Sequence, residues 1–157
     1  MIECRRRIAK RARWIEASVP PMPREAADAR YDAALTLLVS RFLPGNSEKQ
    51  AFISAIAESL APNAPLLIAD LFRSEHSQET APVLRDAWAR QSSASAEVIA
   101  QMSTRMARDF HPVDESTLAR MAGEAGLTAP ARLFQALDFK AFVLRKADAC
   151  PQAASRA

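Results

Sequence analysis

The stretch from Tyr31 to Leu43, YDAALTLLVSRFL, constrains this chain most: a nearly continuous apolar run carrying Asp32 at its start and closed by Pro44-Gly45. A run of that length between turn residues predicts a strand buried on both faces, as when helices cover both sides of a parallel sheet. The pattern recurs downstream. Leu66 to Phe72, LLIADLF, predicts a second buried strand. Between the two, Phe52, Ile53, Ile56 and Leu60 fall on one helical face, while Glu48, Lys49 and Glu58 fall elsewhere. Asn46 or Ser47 is placed to cap that helix, and Pro62-Asn63-Ala64-Pro65 stops it. Strand, helix, strand in this order implies a crossover between parallel neighbours.

The flanks extend the scheme. Residues 1–12 read as a basic amphipathic helix whose few strong hydrophobes, Ile2 and Ile8, fit a solvated surface helix. Residues 13–19, RWIEASV, predict a short strand ended by prolines at 20, 21 and 23, followed by a polar connection over residues 24–30. Residues 74–109 predict two helices without strand signals, separated at Ser92-Ser93. Together with the turn at Phe110-His111-Pro112 they form an expected helical insertion, 74–112, over the end of the sheet where ligands are often gripped. Asp114 or Ser116 is placed to cap a helix through Ala125, and Gly126 follows as its stop. Residues 131–139 and 140–146 predict an antiparallel hairpin, and 148–157 an alanine-rich frayed tail.

Composition excludes several classes. A length of 157 residues with 49% apolar side chains suffices for one domain with a core. No apolar run reaches the roughly 20 residues of a membrane span, and the N-terminus lacks the apolar core of a secretion signal, so a cytoplasmic protein is expected. Cys4 and Cys150 sit at opposite ends without metal-ligand spacing, which argues against a disulfide framework or a metal site. Six of the 21 basic residues lie in the first 13 positions, with Glu3 the sole acid there. The rest of the chain holds 15 basic against 17 acidic residues. That balance does not form a phosphate-tracking surface and speaks against nucleic acid as a partner.

The order of elements and several local words resemble the class I S-adenosylmethionine-dependent methyltransferases. Residues 14–23, WIEASVPPMP, resemble the family's third-strand segment. Tyr31-Asp32 through Phe42-Leu43-Pro44 resembles its fourth strand, and Ile56 to Asp70 its helix into strand five. Leu118 to Leu127, LARMAGEAGL, resembles the helix before strand six, and Leu133 to Phe139 the terminal hairpin of methyltransferases near carboxy-S-adenosylmethionine synthase. The implied fold is an incomplete Rossmann-like α/β methyltransferase fold, three-layered, with a mostly parallel sheet and a C-terminal antiparallel hairpin, over residues 1–147. The family's glycine-rich cofactor loop has no counterpart, since the three glycines are Gly45, Gly123 and Gly126. Residues 1–12 resemble the helix after the family's second strand, so the resemblance implies the C-terminal two thirds of such a domain.

Carried over residue by residue, the resemblance places Ser18 and Val19 against adenine and Thr36, Leu37 and Leu38 at the edge of the S-adenosylmethionine crevice. Arg41 and Phe42 follow in the adjoining loop and, with Trp88 and His111, are the expected contacts to a small-molecule acceptor. Trp88, Met102, Met106 and Phe110 could line an apolar acceptor pocket or serve helix packing. Methyl transfer asks mainly for in-line positioning, and a base only when the acceptor must lose a proton. His76 and His111 are the residues that titrate near neutrality, but no aspartate is spaced to orient either, so no catalytic residue is assigned. Without the family's strand one, Tyr31 to Leu43 becomes an exposed apolar edge that a second copy or a missing N-terminal segment would cover. The alternative expectation is a non-catalytic remnant that uses this edge as an interaction module.

Overall fold

The computed structural model describes residues 12, 15–23, 30–73 and 80–148. The expected N-terminal helix, Trp14, the connection after Pro23, His76, both cysteines and the tail from residue 149 lie outside the described residues. Four strands form one sheet in the order β1-β2-β4-β3: β1 (Ala34–Leu37), β2 (Pro65–Leu71), β3 (Ala131–Ala136) and β4 (Phe139–Arg145). The expected parallel component is the β1–β2 pair, while β4 runs antiparallel to both β2 and β3, so the described sheet is mixed. Four helices accompany it: α1 (Asn46–Ser59), α2 (Thr80–Gln91), α3 (Ala96–Asp109) and α4 (Glu115–Glu124).

The two-residue side-chain period of the strands sorts the sheet into two unlike faces. Thr36, Leu66, Ile68, Phe142 and Leu144 lie in register across β1, β2 and β4 and are buried. They pack with Phe52, Ile53 and Ala57 of α1 and Leu118, Met121 and Ala122 of α4. The helical spacing expected of α1 is therefore its packing face. Phe72 and Phe142 meet edge to face with centroids 5.0 Å apart, an arrangement that adds to area burial of about 2 kcal/mol for each ring. The opposite face carries Leu35, Leu37, Leu67, Ala69, Ala141 and Val143, none of which joins that core. Leu35 is 65% exposed and Leu37 54%.

The long strand expected over residues 31–43 is instead a four-residue strand, exposed on one face and at the sheet edge among the described residues. Tyr31 pairs only as an isolated bridge, its amide donating to Ser59 O and its carbonyl accepting from Ala61 N. Beyond Leu37 the chain turns: Leu38 takes a positive φ of 59°, donates to Ala69 O, and leads into a 3-10 turn at Ser40–Phe42. The strand ends because the Asp70 carboxylate at the end of β2 captures the turn, as described below.

Other boundaries differ from expectation. Residues 15–18 are exposed and form no strand, while Val19 packs against the core. Neither Asn46 nor Ser47 caps α1; Gly45 is the N-cap, with no side-chain bond. Glu48 occupies the first turn, where hydrogen bonds from its own amide and from the Ser47 hydroxyl hold its carboxyl below the usual range. Lys49, expected on the polar side, is 3% exposed. The hairpin turns at Leu137-Asp138, with Leu137 at φ 55°. At α4 the expected cap holds: Asp114 accepts from Thr117 N at 2.6 Å and Ser116 Oγ at 2.7 Å. These donors lower its pKa to about 2. Gly126, just past that helix, adopts φ 70°, the left-handed geometry a helix stop requires.

Candidate functional site

The carboxyl ends of β1 and β2 are joined by a buried polar cluster that neither strand pattern reveals. Asp70, 1% exposed, accepts from Ser40 Oγ at 2.7 Å and Arg41 N at 3.2 Å through Oδ2, and from Leu71 N at 2.8 Å through Oδ1. Lys49 reaches from the first turns of α1 into the same loop, donating to Ser40 O at 2.8 Å and to Leu43 O. Burial pushes the Lys49 ammonium below its ordinary pKa, and the Asp70 and Glu48 carboxylates oppose that shift. The cluster holds residues 38–43 in one geometry at the end of the sheet.

That geometry presents Arg41 to two rings. Its guanidinium lies 4.4 Å from the Phe110 centroid and 5.0 Å from that of Phe42, and the two rings meet edge to face at 5.1 Å. The Arg41 carbonyl accepts from His111 N at 2.7 Å. Among the described residues the buried Arg41 Nε has no hydrogen-bond partner, and the guanidinium is compensated by ring stacking.

Phe110 also lines a cavity of about 470 Å³ at the carboxyl end of β2. Its walls are Leu71, Phe72 and Arg73 below, Pro82 and Arg85 of α2, Met106 and Ala107 of α3, and the hairpin turn at Asp138. Two backbone bonds fix the floor: Phe72 N donates to Asp138 O and Arg73 N to Val113 O, each at 2.8 Å. Arg85 pairs with Asp138 at 3.5 Å. The α2–α3 pair therefore roofs the end of the sheet where open α/β sheets bind ligands.

The structure brings Arg41, Phe42 and His111 together beside this cavity, and Met106 and Phe110 into its lining. Trp88 and Met102, 66% and 46% exposed on α2 and α3, stay outside it. Of the positions assigned to cofactor, Thr36 is buried toward α1, Leu37 projects from the exposed face, and the Leu38 amide is bonded to Ala69 O. Ser18 is exposed in an irregular segment. Sequence reasoning missed Lys49, Asp70, Arg73 and Arg85; the aspartate closing an apolar strand was the one available signal for this cluster.

A larger cavity, about 740 Å³, opens at the opposite end, between Arg30, Leu60, Pro62, Gly126 and Lys146. It adjoins the amino ends of the parallel strands, and its Arg30 is engaged with Glu58 O at 2.9 Å. Among the described residues no cluster of His, Cys, Asp and Glu could hold a metal ion, and no helix is long and apolar enough to cross a membrane.

No family model matches the chain, and no curated protein matches it. Solved structures do. The mitomycin 7-O-methyltransferase MmcR superposes with a TM-score of 0.65 at 16% identity, over 93% of this chain and 37% of that one. An O-methyltransferase family protein from Burkholderia thailandensis gives 0.62 at 14% identity, over 94% and 41%. The CurJ carbon methyltransferase gives 0.59 at 12%, over 94% and 39%. The chain thus spans about two fifths of the length of these structures. At such identities the likeness concerns architecture: this α/β chain has the fold of the corresponding part of a methyltransferase.

Proposed function

We propose that the chain is the acceptor-holding part of a class I S-adenosylmethionine-dependent methyltransferase that acts on a small molecule and is inactive by itself. The observation that carries this reading is the cavity of about 470 Å³ roofed by α2 and α3 at the carboxyl end of β2, within the usual size range of small-molecule sites. The likeness to methyltransferase structures supports it. The described residues do not fit the cofactor: at the assigned positions they offer a buried threonine, exposed leucine surface and an amide already bonded. The chain's own contribution is to bind and orient an acceptor, with Arg41 and Phe42 presetting the Phe110 ring.

A fragment screen by NMR tests this. Fragment-induced shifts are expected to cluster at Met106, Ala107 and Phe110, while calorimetry with S-adenosylhomocysteine shows no measurable heat. Micromolar binding of S-adenosylhomocysteine, or fragments that ignore the cavity, would overturn the proposal.

A second reading, a non-catalytic interaction module, draws on one observation: β1 is an edge strand among the described residues and carries exposed Leu35 and Leu37. Such an edge favours pairing with a further strand, from a second copy or from a segment preceding residue 1.

A further inference from the structure

The charges of the proposed acceptor cavity, on which this inference rests, select the class of molecule it takes. Three ionisable side chains line it: Arg73, Arg85 and Asp138. Arg85 and Asp138 are committed to each other, and Asp138 makes further interactions besides. Arg73 differs. Its backbone amide is bonded to Val113 O, but its exposed side chain forms no hydrogen bond or ion pair with a described residue. The lining therefore carries a net charge of about +1 located at one guanidinium. The rest of the wall is apolar and includes the Phe110 ring, held in place by Arg41 on its face and Phe42 at its edge.

A guanidinium at the rim of an apolar cavity, whose donors bond to no described residue and whose charge acts on the Asp114 carboxylate nearby, is matched by a planar carboxylate through paired hydrogen bonds. A neutral ligand would leave that charge uncompensated while displacing its water. A dianion would meet the Asp138 carboxylate with one charge too many. We infer that the cavity binds an aromatic monocarboxylate, its carboxylate at Arg73 and its ring against Phe110 and Met106.

Titration of the intact chain with naphthalene-2-carboxylate and with its neutral isostere naphthalene-2-carboxamide tests the inference. The carboxylate is expected to bind roughly tenfold or more tightly than the carboxamide, the size expected for a charge-assisted contact. This preference should shrink with added salt. Arg73→Gln should lower carboxylate affinity by about tenfold without changing that of the carboxamide, and Arg73→Lys should restore part of it. Arg73 is exposed, so these variants should keep the parental circular dichroism and unfolding midpoint. Ala107→Trp, which fills the cavity, should abolish binding of both probes. Equal affinities, a preference that survives Arg73→Gln, or binding that survives Ala107→Trp would each overturn the inference. No cofactor enters the titration, so the two ideas fail separately. Carboxylate preference without methyl transfer in any reconstituted form would overturn the proposed activity alone. Fragments that fill the cavity without charge preference would overturn this inference alone.

Discussion

The Ser40 hydroxyl donates to the Asp70 carboxylate across 2.7 Å, joining the loop after β1 to the last turn-facing residue of β2. Because the same carboxylate also accepts from the Arg41 and Leu71 amides, one buried acid decides where β1 ends and how Arg41 meets Phe110.

Asp70→Ala should therefore do more than remove one bond. It leaves three donors unpaired, and a buried donor without a partner costs about 1–3 kcal/mol. A loss of roughly 3 kcal/mol is expected in urea unfolding, with Ser40→Ala costing about 1 kcal/mol. A cost for Asp70→Ala no larger than that for Ser40→Ala would show that the carboxylate does not organise the loop.

Lys49 tests the other half of the cluster. Lys49→Met removes a buried charge together with its bonds to the Ser40 and Leu43 carbonyls, two effects of opposite sign, so a net change within about 1.5 kcal/mol is expected at neutral pH. The wild type should also gain relative to the variant as pH rises toward 10.5. Burial lowers the folded pKa of Lys49 below that value, so the native chain sheds this proton before the unfolded one and stability rises over that interval. Unfolding midpoints of both proteins between pH 8 and 10.5 provide the check; parallel curves would contradict it.

At the start of α4, Asp114→Ala should cost about 1 kcal/mol at neutral pH, the usual worth of an N-cap. The folded pKa is depressed to about 2 from 3.8, so the stabilisation is fully present above 3.8 and is lost as pH falls toward 2. The stability difference between wild type and variant should accordingly narrow across that window in urea titrations. A difference independent of pH would mean that the charged carboxylate is not the capping species.

The apolar face and edge of β1 make a prediction about association. Leu35→Lys and Leu37→Lys replace exposed side chains and should alter folding stability by no more than about 0.5 kcal/mol. If the edge pairs with another copy, sedimentation should show concentration-dependent association of the wild type that both variants abolish. A wild type that stays monomeric at high concentration would remove the second copy as the occupant of that edge.

Much of the element order was legible in the chain because it rests on local chemistry. Helical spacing of Phe52, Ile53 and Leu60 marked the face α1 buries, Asp114 marked the start of α4, and Gly126 its end. Ser92-Ser93 marked the break between α2 and α3, where Ser93 takes a positive φ of 65°. Each of these signals acts within about one helical turn, so the sequence alone sufficed. The apolar run of residues 31–43 misled for the complementary reason. Apolarity reports a preference to leave water, but not which neighbours are available, and here one face of β1 has none among the core residues. Of the residues singled out for the site, Arg41, Phe42 and His111 lie beside one another whereas Trp88 is exposed on α2, a grouping that depends on contacts between separate elements.

By itself, then, the sequence determined the order of the four described helices, the Asp114 cap of α4 and its Gly126 stop, and that the central strands are apolar. Only the tertiary structure decided that Asp70 stops β1, that Lys49 lies buried beneath the same loop, and that Arg73 alone of the cavity's charges stands unpaired among the described residues. These are pairings between groups 6 to 30 positions apart in the chain, or the lack of one. Hydrogen bonds and charges act through space over a few ångströms, and no periodicity along the chain encodes which distant groups meet.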